Sequence, residues 1–301
     1  MFRSVVALAA RRRPLRRALS GAPAPPAFDG DAAELYAKMF AQHAHPDGPW
    51  RIMVDAARGA LGPSRAGNVL DLASGPGEPG ITIAKLLPDA RVVCTDISVD
   101  MVNKARARAA GLPNVRFEVV DAQDLSPFAD GEFDAITCCY GAMFFPEPAR
   151  ALREARRVLR PGGLLVATYW LRMPMVDANR VAMEAVLKAP QPPPEINPLS
   201  LQPDGLFEGL LADAGFDVTR TNDSAYPLEL GTLDAVFRLV LVPVWDKLKA
   251  LHDERAQSGE DVLGTARAAL ERFFAARGYT QPDGRIVLHG NMFRMAVARA
   301  V

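Results

Sequence analysis

Cysteine is scarce in this sequence, with three residues in a chain of 301. They stand at Cys94, Cys138 and Cys139, inside apolar runs of the kind that form buried strands. Their positions match neither the paired spacing of a zinc site nor a disulfide framework. We therefore expect three small buried hydrophobic groups, and we exclude a fold stapled by disulfides or by a zinc ion.

Long apolar runs and an excess of one charge are also missing. No stretch reaches the roughly 18 uncharged apolar residues that a membrane-spanning helix requires. The 35 basic and 35 acidic side chains give a formal net charge of zero, so no overall basic field favours a nucleic-acid partner. Hydrophobic residues make up 49% of the chain, which is enough for a sizeable core. The oligomeric state is not predicted.

Acidic side chains are absent from residues 1–28, which carry six arginines. The first carboxylate is Asp29, after the proline-rich stretch 22–26. A basic, acid-free beginning of this kind is typical of an organellar transit peptide. We therefore expect residues 1–28 to be a transit peptide or a disordered tail. A mitochondrial location is the first expectation, with the plastid or the cytoplasm as alternatives.

The segment 68–170 alternates between short apolar strands and helices. Strands are predicted at 68–72, 91–96, 115–121, 133–139 and 164–170. The intervening helices are predicted at 81–87, 99–110 and 149–159. Alternation with short connections predicts βαβ units and a parallel sheet covered on both faces, an α/β fold of the doubly wound class.

After Trp170 the pattern becomes mostly helical. The predicted elements here are helices near 176–187, 206–214 and 232–277, a strand at 216–221 and a last strand at 286–298, interrupted by Gly290. We expect a single domain over residues 29–301. Helical insertions at about 171–210 and 232–280 would form a cap on it.

Three aspartates mark the ends of the first three predicted strands. Asp71, Asp96 and Asp121 are spaced 25 residues apart. The carboxyl ends of parallel strands meet at one edge, where open α/β sheets bind ligands. The sequence therefore predicts one ligand site lined by these carboxylates.

A glycine-rich turn follows the first strand at residues 73–80. Such a turn lets the backbone approach a ligand closely, but several classes of nucleotide-binding enzyme use one. Pro76 and Pro79 remove amide donors that a phosphate would need. Asp71 would repel a pyrophosphate and suits a ligand with a cationic amino-acid end. An NAD(P)-dependent oxidoreductase is kept as an alternative.

The most specific motifs lie in the stretches 69–77, 93–98, 120–122, 126–136 and 159–164. They include Pro-Phe-x-Asp-x-x-Phe-Asp and Arg-Pro-Gly-Gly. At this spacing the segment resembles the class I S-adenosylmethionine-dependent methyltransferases, in the small-molecule group of types 11 and 25. The resemblance implies a seven-stranded Rossmann-like sheet with an antiparallel last strand and S-adenosylmethionine as the cofactor.

The sequence departs from the family pattern at two places. Ala73 stands where the commonest motif has glycine. The Asn-Pro-Pro-Tyr signature of enzymes that methylate nucleobases and glutamine amides is absent, and Cys139-Tyr140-Gly141-Ala142 stands in its place. We therefore expect a small-molecule acceptor.

The resemblance also implies roles for individual residues. Asp71 is assigned to the methionine amino group, Asp96 to the ribose hydroxyls and Asp121 to the adenine amino group. The full set of implied cofactor-binding residues is Asp71, Ala73, Gly75, Gly77, Asp96, Ile97, Asp121, Ala122, Tyr140 and Tyr36.

Methyl transfer from a sulfonium is an in-line displacement, in which the protein aligns the acceptor and excludes water. It requires no metal, and it needs a general base only when the acceptor is a hydroxyl or a protonated amine. His43, His45 and His289 are weak candidates for that base. A non-catalytic donor-binding scaffold in an organellar assembly is the alternative function.

Overall fold

A computed structural model describes residues 39–63, 66–193 and 197–301. The strands of these ranges are β1 (Gly67–Asp71), β2 (Ala90–Asp96), β3 (Val115–Val119), β4 (Phe133–Cys139), β5 (Leu159–Arg172), β6 (Phe216–Ala225), β7 (Leu228–Thr232), β8 (Arg285–Leu288) and β9 (Met292–Ala300). The α-helices are α1 (Pro49–Leu61), α2 (Gly80–Leu86), α3 (Val99–Arg108), α4 (Pro148–Val158), α5 (Pro174–Leu187), α6 (Leu206–Asp213), α7 (Leu233–Leu241), α8 (Trp245–Arg255) and α9 (Val262–Ala276).

Seven strands form one sheet in the order β3-β2-β1-β4-β5-β9-β6. The first five strands of the chain pair in parallel. Strand β9 lies between β5 and β6 and is antiparallel to both. The expected α/β sheet with a reversed last strand is therefore confirmed. Because β1 lies between β2 and β4, the carboxyl ends of these strands are neighbours at one edge.

The last predicted strand, 286–298, is in fact two strands in different sheets. Strand β8 pairs with β7 in a separate two-stranded sheet, whereas β9 joins the main sheet. Gly290 lies between them with φ of 79°, and this left-handed conformation ends the extended run. Helices α7, α8 and α9 lie between β7 and β8 in the chain, so the small sheet joins the two ends of this helical segment.

Helix α1 illustrates how local sequence sets the elements. It begins at Pro49, whose fixed φ suits the first helical position, and ends before Gly62, which has φ of 69°. Its buried residues recur at helical spacing and are Trp50, Met53, Val54, Ala57 and Leu61. They pack on β4 and β5 and fix the N-terminal segment against the middle of the sheet.

Two hydrophobic cores hold the layers together. The smaller core lies between α1, α2 and the strands β1 and β2. The larger core continues from the sheet into helices α5 to α9, where it includes Val240 and Phe274. The helical segment therefore shares its core with the sheet. No helix of the described ranges is both long enough and apolar enough to cross a membrane.

Arg157 of α4 fixes the loop between β3 and β4. Its guanidinium donates to the carbonyl oxygens of Leu125 at 2.9 Å and Phe128 at 3.0 Å. It also pairs with Glu154 at 2.8 Å and Asp130 at 2.7 Å. Hydrogen bonds to these carboxylates raise the pKa of Arg157, which keeps its positive charge. The loop that carries the third site aspartate is thus tied to α4.

Replacing this side chain should weaken the fold. We expect Arg157→Met to lower the free energy of unfolding by about 1–2 kcal/mol, because charge-assisted hydrogen bonds to a half-buried guanidinium are lost. Arg153→Met is the matched control on the same helix, since Arg153 is exposed and makes no ion pair with the described residues. The control should stay within about 0.5 kcal/mol of the wild type in urea unfolding. Equal losses in both variants would contradict this assignment.

Candidate functional site

Asp71 closes β1 directly beneath the glycine-rich turn. It is fully buried, and its Oδ2 accepts a hydrogen bond from the Gly80 amide at 2.9 Å. Its Oδ1 accepts a hydrogen bond from the Thr137 hydroxyl of β4 at 2.6 Å. Each oxygen thus has one partner inside the protein, and the contact with a methionine amino group stays a prediction. Within the protein, Asp71 ties the start of α2 to the two central strands.

Burial also sets the charge of this carboxyl. Removal from water raises the pKa of Asp71 to about 7, and the nearby carboxylates Glu78 and Asp96 contribute in the same direction. The hydrogen bonds from Thr137 and Gly80 act against this rise. Asp71 is therefore close to half-ionised at neutral pH, and an approaching cation would favour its charged form.

The turn itself is built from backbone conformations that favour glycine. Gly75 has φ of 54° and Gly77 has φ of 101°. Ala73 also adopts a left-handed conformation, with φ of 52°, which an alanine tolerates at some cost in strain. A Cβ on Gly141 would come within 2.7 Å of the Ala73 methyl group. The loop after β4 therefore leaves room for the alanine that stands in place of the family's glycine.

An ion pair between a buried acid and an exposed arginine, which the sequence reasoning missed, holds the far side of the turn. Glu78 is buried, and its Oε2 accepts hydrogen bonds from the Thr82 amide at 3.0 Å and the Thr82 hydroxyl at 2.7 Å. Arg108 of α3 pairs with Oε1 at 3.1 Å and donates to the Pro76 carbonyl at 2.6 Å. Glu78 could have been found from the sequence as an acid just before the first turn of α2, since acids are favoured at helix N-termini.

Asp96 ends β2 beside the turn. Its Oδ2 accepts a hydrogen bond from the Gly75 amide at 2.8 Å, and its Oδ1 accepts one from the Ser98 amide at 2.9 Å. Burial raises the pKa of Asp96, and these amides oppose the rise. Each carboxylate oxygen can accept a second hydrogen bond, so the group can still bind a pair of hydroxyls. The next residue, Ile97, leaves an apolar side chain 47% exposed at the same edge.

Asp121 lies two residues beyond the end of β3 at Val119, so it does not close the strand as predicted. Its Oδ1 accepts a hydrogen bond from the Gln123 amide at 2.9 Å. The Gln123 side chain in turn accepts a hydrogen bond from the Glu147 amide at 2.7 Å. The neighbouring Ala122 is buried. The third aspartate is thus presented by a loop that is anchored to the start of α4.

Tyr140 directly follows β4 and has a left-handed φ of 55°. Its ring stacks on Trp170 of β5, with ring centres 4.1 Å apart and planes only 3° from parallel. The Tyr140 hydroxyl lies 3.3 Å from the Tyr226 hydroxyl, which is hydrogen-bonded to Nδ1 of His43. Phe293 of β9 packs edge-on against Tyr140 and Tyr226. We call these five buried residues the aromatic cluster.

The three histidine candidates for a general base differ in burial and in their contacts. His43 lies in the aromatic cluster, and burial lowers its pKa to about 3, so it is neutral at physiological pH. His45 is partly exposed, with its Nδ1 3.7 Å from Asp47, and its ring faces Tyr226 at a centre distance of 6.2 Å. His289 is exposed in the turn between β8 and β9. Tyr36, the remaining candidate, lies outside the described residues.

Cys94, Cys138 and Cys139 are free and buried. Burial raises the pKa of all three thiols, that of Cys138 to about 12, so they stay protonated. Within the described ranges no group of three His, Cys, Asp or Glu side chains is placed to hold a metal ion.

Comparison with known proteins places the strand-end motifs in a family. Residues 69–163 match the family described as a methyltransferase domain. A demethylmenaquinone methyltransferase of Clavibacter sepedonicus is 37% identical over 143 residues, which are 48% of this chain and 56% of that protein. The ubiquinone/menaquinone biosynthesis C-methyltransferase of Rickettsia prowazekii is 36% identical over 35% of this chain and 44% of its own length. The chain thus spans about half the length of these curated relatives.

Solved structures of low sequence identity share the fold. One from Bacillus halodurans is 22% identical and matches 82% of this chain and 97% of that chain, with a TM-score of 0.52. The [4+2]-cyclase SpnF is also 22% identical and matches 94% of this chain and 99% of that chain, with a TM-score of 0.50. These likenesses concern the fold alone.

The family match covers the glycine-rich turn, Asp96, Asp121 and the Arg-Pro-Gly-Gly element, which were the basis of the resemblance found in the sequence. The sheet order with its antiparallel last strand agrees with that match. Residues 69–163 therefore form a methyltransferase domain of the class I S-adenosylmethionine-dependent type.

Proposed function

We propose that this chain transfers a methyl group from S-adenosylmethionine to a small aromatic acceptor. The observation that carries the proposal is the bond between Asp96 and the turn after β1, in which the Gly75 amide donates to Oδ2 at 2.8 Å. This contact brings a carboxylate, which we assign to the ribose hydroxyls, directly beside a backbone turn that an amino-acid chain can follow.

The donor would lie along the edge from β1 to β3. Its methionine end follows the turn at Gly75 and Gly77, and its ribose meets Asp96. The adenine would rest on Ile97, whose apolar exposure at this edge suits a flat heterocycle. Its amino group would reach Asp121. These assignments place the donor along neighbouring groups from β1 to β3. The end of β4 then remains for the acceptor.

We place the acceptor at the aromatic cluster, whose rings are flat and mostly apolar. The stacked pair Tyr140 and Trp170, together with Phe293, favours a planar aromatic molecule over a sugar or a charged metabolite. Two relatives are named for methylation of demethylmenaquinone and ubiquinone precursors, and this supports an acceptor of the quinol class. A structural neighbour named as a cyclase makes a direct assay of methyl transfer necessary.

The first test measures donor binding. We expect Asp96→Ala to weaken the binding of S-adenosylmethionine and S-adenosylhomocysteine about 10- to 100-fold, because charge-assisted hydrogen bonds to the ribose are lost. Asp89→Ala is the matched control, since it removes the same charge from an exposed position before β2, at the opposite edge of the sheet. Isothermal titration calorimetry of the folded variants gives both affinities. Unchanged binding by Asp96→Ala would count against this donor site.

The second test addresses the charge of Asp71. The folded protein holds this proton up to about pH 7, whereas the unfolded chain releases it near pH 3.8. A raised pKa of this kind makes the folded state lose stability as the pH rises from about 4 to 7. Asp71→Asn removes the effect, so its stability relative to the wild type should rise across that window by on the order of 2–4 kcal/mol.

Urea unfolding at intervals between pH 4 and pH 8 measures this difference. Asp89→Asn serves as the control, because it makes the same change at an exposed position before β2. A constant difference between Asp71→Asn and the wild type at every pH would contradict the raised pKa. The lowered pKa of His43 makes both proteins more stable as the pH rises. This contribution cancels when the variant is compared with the wild type.

A further inference from the structure

The aromatic cluster contains a row of hydrogen-bonding groups. The Tyr140 hydroxyl lies 3.3 Å from the Tyr226 hydroxyl, and Tyr226 reaches Nδ1 of His43. All three side chains are buried. The row brings together residues 183 positions apart in the chain, one before α1 and one between β6 and β7. It begins at the end of β4, beside the glycine-rich turn where the donor would lie.

We propose that Tyr226 and His43 form a proton relay that removes the proton of an aromatic hydroxyl on the methyl acceptor. The proposal rests on the proposed function and deepens it, because it defines the acceptor class as a planar molecule with an ionisable hydroxyl. In the relay the Tyr226 hydroxyl accepts the acceptor's proton and donates its own to His43.

His43 has a lone pair that can accept a proton. Its pKa is lowered by burial, so the imidazole is neutral and one ring nitrogen has a free lone pair. The titratable groups that face it are Tyr140 and Tyr226, with His45 two residues along the chain. No carboxylate or cation contacts its ring among the described residues, so nothing except Tyr226 competes for Nδ1.

The contact between the two tyrosines marks the place of the acceptor. At 3.3 Å it is longer than the 2.7–2.8 Å usual for two hydroxyls, which indicates a weak hydrogen bond. When Tyr226 donates to His43, its oxygen accepts from Tyr140. An acceptor hydroxyl that displaces the Tyr140 hydroxyl would take over that position.

A second observation in the same region points to an oxygen-bearing ligand. Trp50 is buried, and its indole N–H has no hydrogen-bond partner in the described part of the chain. Its ring lies 6.3 Å from the His43 ring, centre to centre. A buried donor without a partner costs free energy unless a ligand supplies one. A second oxygen on the acceptor would satisfy it.

The atoms and charges of the step balance. The S–CH3 bond breaks with its electron pair going to sulfur, and the methyl carbon bonds to the acceptor oxygen or to the ring carbon beside it. The hydroxyl proton moves to Tyr226, and the Tyr226 proton moves to His43. After attack by carbon, the ring C–H proton passes to the acceptor oxygen, which restores the aromatic ring. The imidazolium then carries the charge that the sulfonium has lost, so the buried site keeps its total charge.

Two naphthalene probes separate proton removal from methyl transfer. The hydroxyl of 1,4-naphthohydroquinone is protonated at pH 7.5, whereas that of 2-hydroxy-1,4-naphthoquinone is already ionised. We expect the wild-type full-length chain to methylate both under anaerobic conditions with labelled S-adenosylmethionine. Tyr226→Phe should lower kcat for the hydroquinone about 10²- to 10⁴-fold, the usual size of general-base catalysis, with KM nearly unchanged. For the ionised probe its kcat should fall less than about threefold.

Control variants keep the test independent of folding. Tyr169→Phe removes another buried hydroxyl from the sheet, one bonded to Glu208 at 3.0 Å, and should methylate both probes as the wild type does. His43→Gln should reproduce the selective loss seen with Tyr226→Phe. Equal losses on both probes in the Tyr226 and His43 variants would mean that the two residues only support the structure, and would overturn the relay.

The remaining outcomes are also decisive. If the wild-type chain binds S-adenosylmethionine but methylates neither probe, the acceptor class and the relay are both wrong, while the donor site stands. If the chain does not bind S-adenosylmethionine, the proposed function itself fails. Product analysis distinguishes a methyl ether from a ring-methylated naphthalene, and either product agrees with the relay.

Discussion

The burial of one carboxyl group beneath the glycine-rich turn organises the donor half of the site. Asp71 joins β1 to the start of α2 through the Gly80 amide and to β4 through Thr137. The turn between these points can then place the Gly75 amide on Asp96 of the next strand. Without this buried acceptor, the Gly80 amide and the Thr137 hydroxyl would need other partners in an apolar layer. The contact between the Gly75 amide and Asp96 therefore depends on it.

The same burial gives the site an unusual balance of charge. Burial disfavours the charged form of both groups, because it raises the pKa of Asp71 and lowers that of His43. A sulfonium donor would bring its own positive charge into this environment. In the proposed reaction, ionisation of Asp71 would compensate that charge when the donor binds, and protonation of His43 would replace it when the sulfonium is consumed.

The donor half could be predicted from the sequence because its signals are local. Glycines after a strand and an acid at the end of β2 report on backbone geometry within a few residues. The position of Asp71 was harder to predict. The spacing of Asp71 suggests a ligand contact, but the orientation of its side chain depends on Thr137, which is 66 residues away. Likewise, no local pattern separates β8 from β9 into two sheets, since only Gly290 interrupts an otherwise continuous strand signal.

The aromatic cluster shows why the acceptor half resists both sequence reasoning and comparison. Among its residues only Tyr140 lies within the matched stretch 69–163, whereas His43, Trp170, Tyr226 and Phe293 lie outside it. Those four come from the N-terminal segment, the end of β5, the β6–β7 connection and β9. The match over residues 69–163 therefore supports S-adenosylmethionine as the methyl donor but covers little of the cluster to which we assign the acceptor. Under that assignment, the side chains contributed by the flanking segments decide which nucleophile meets the methyl group.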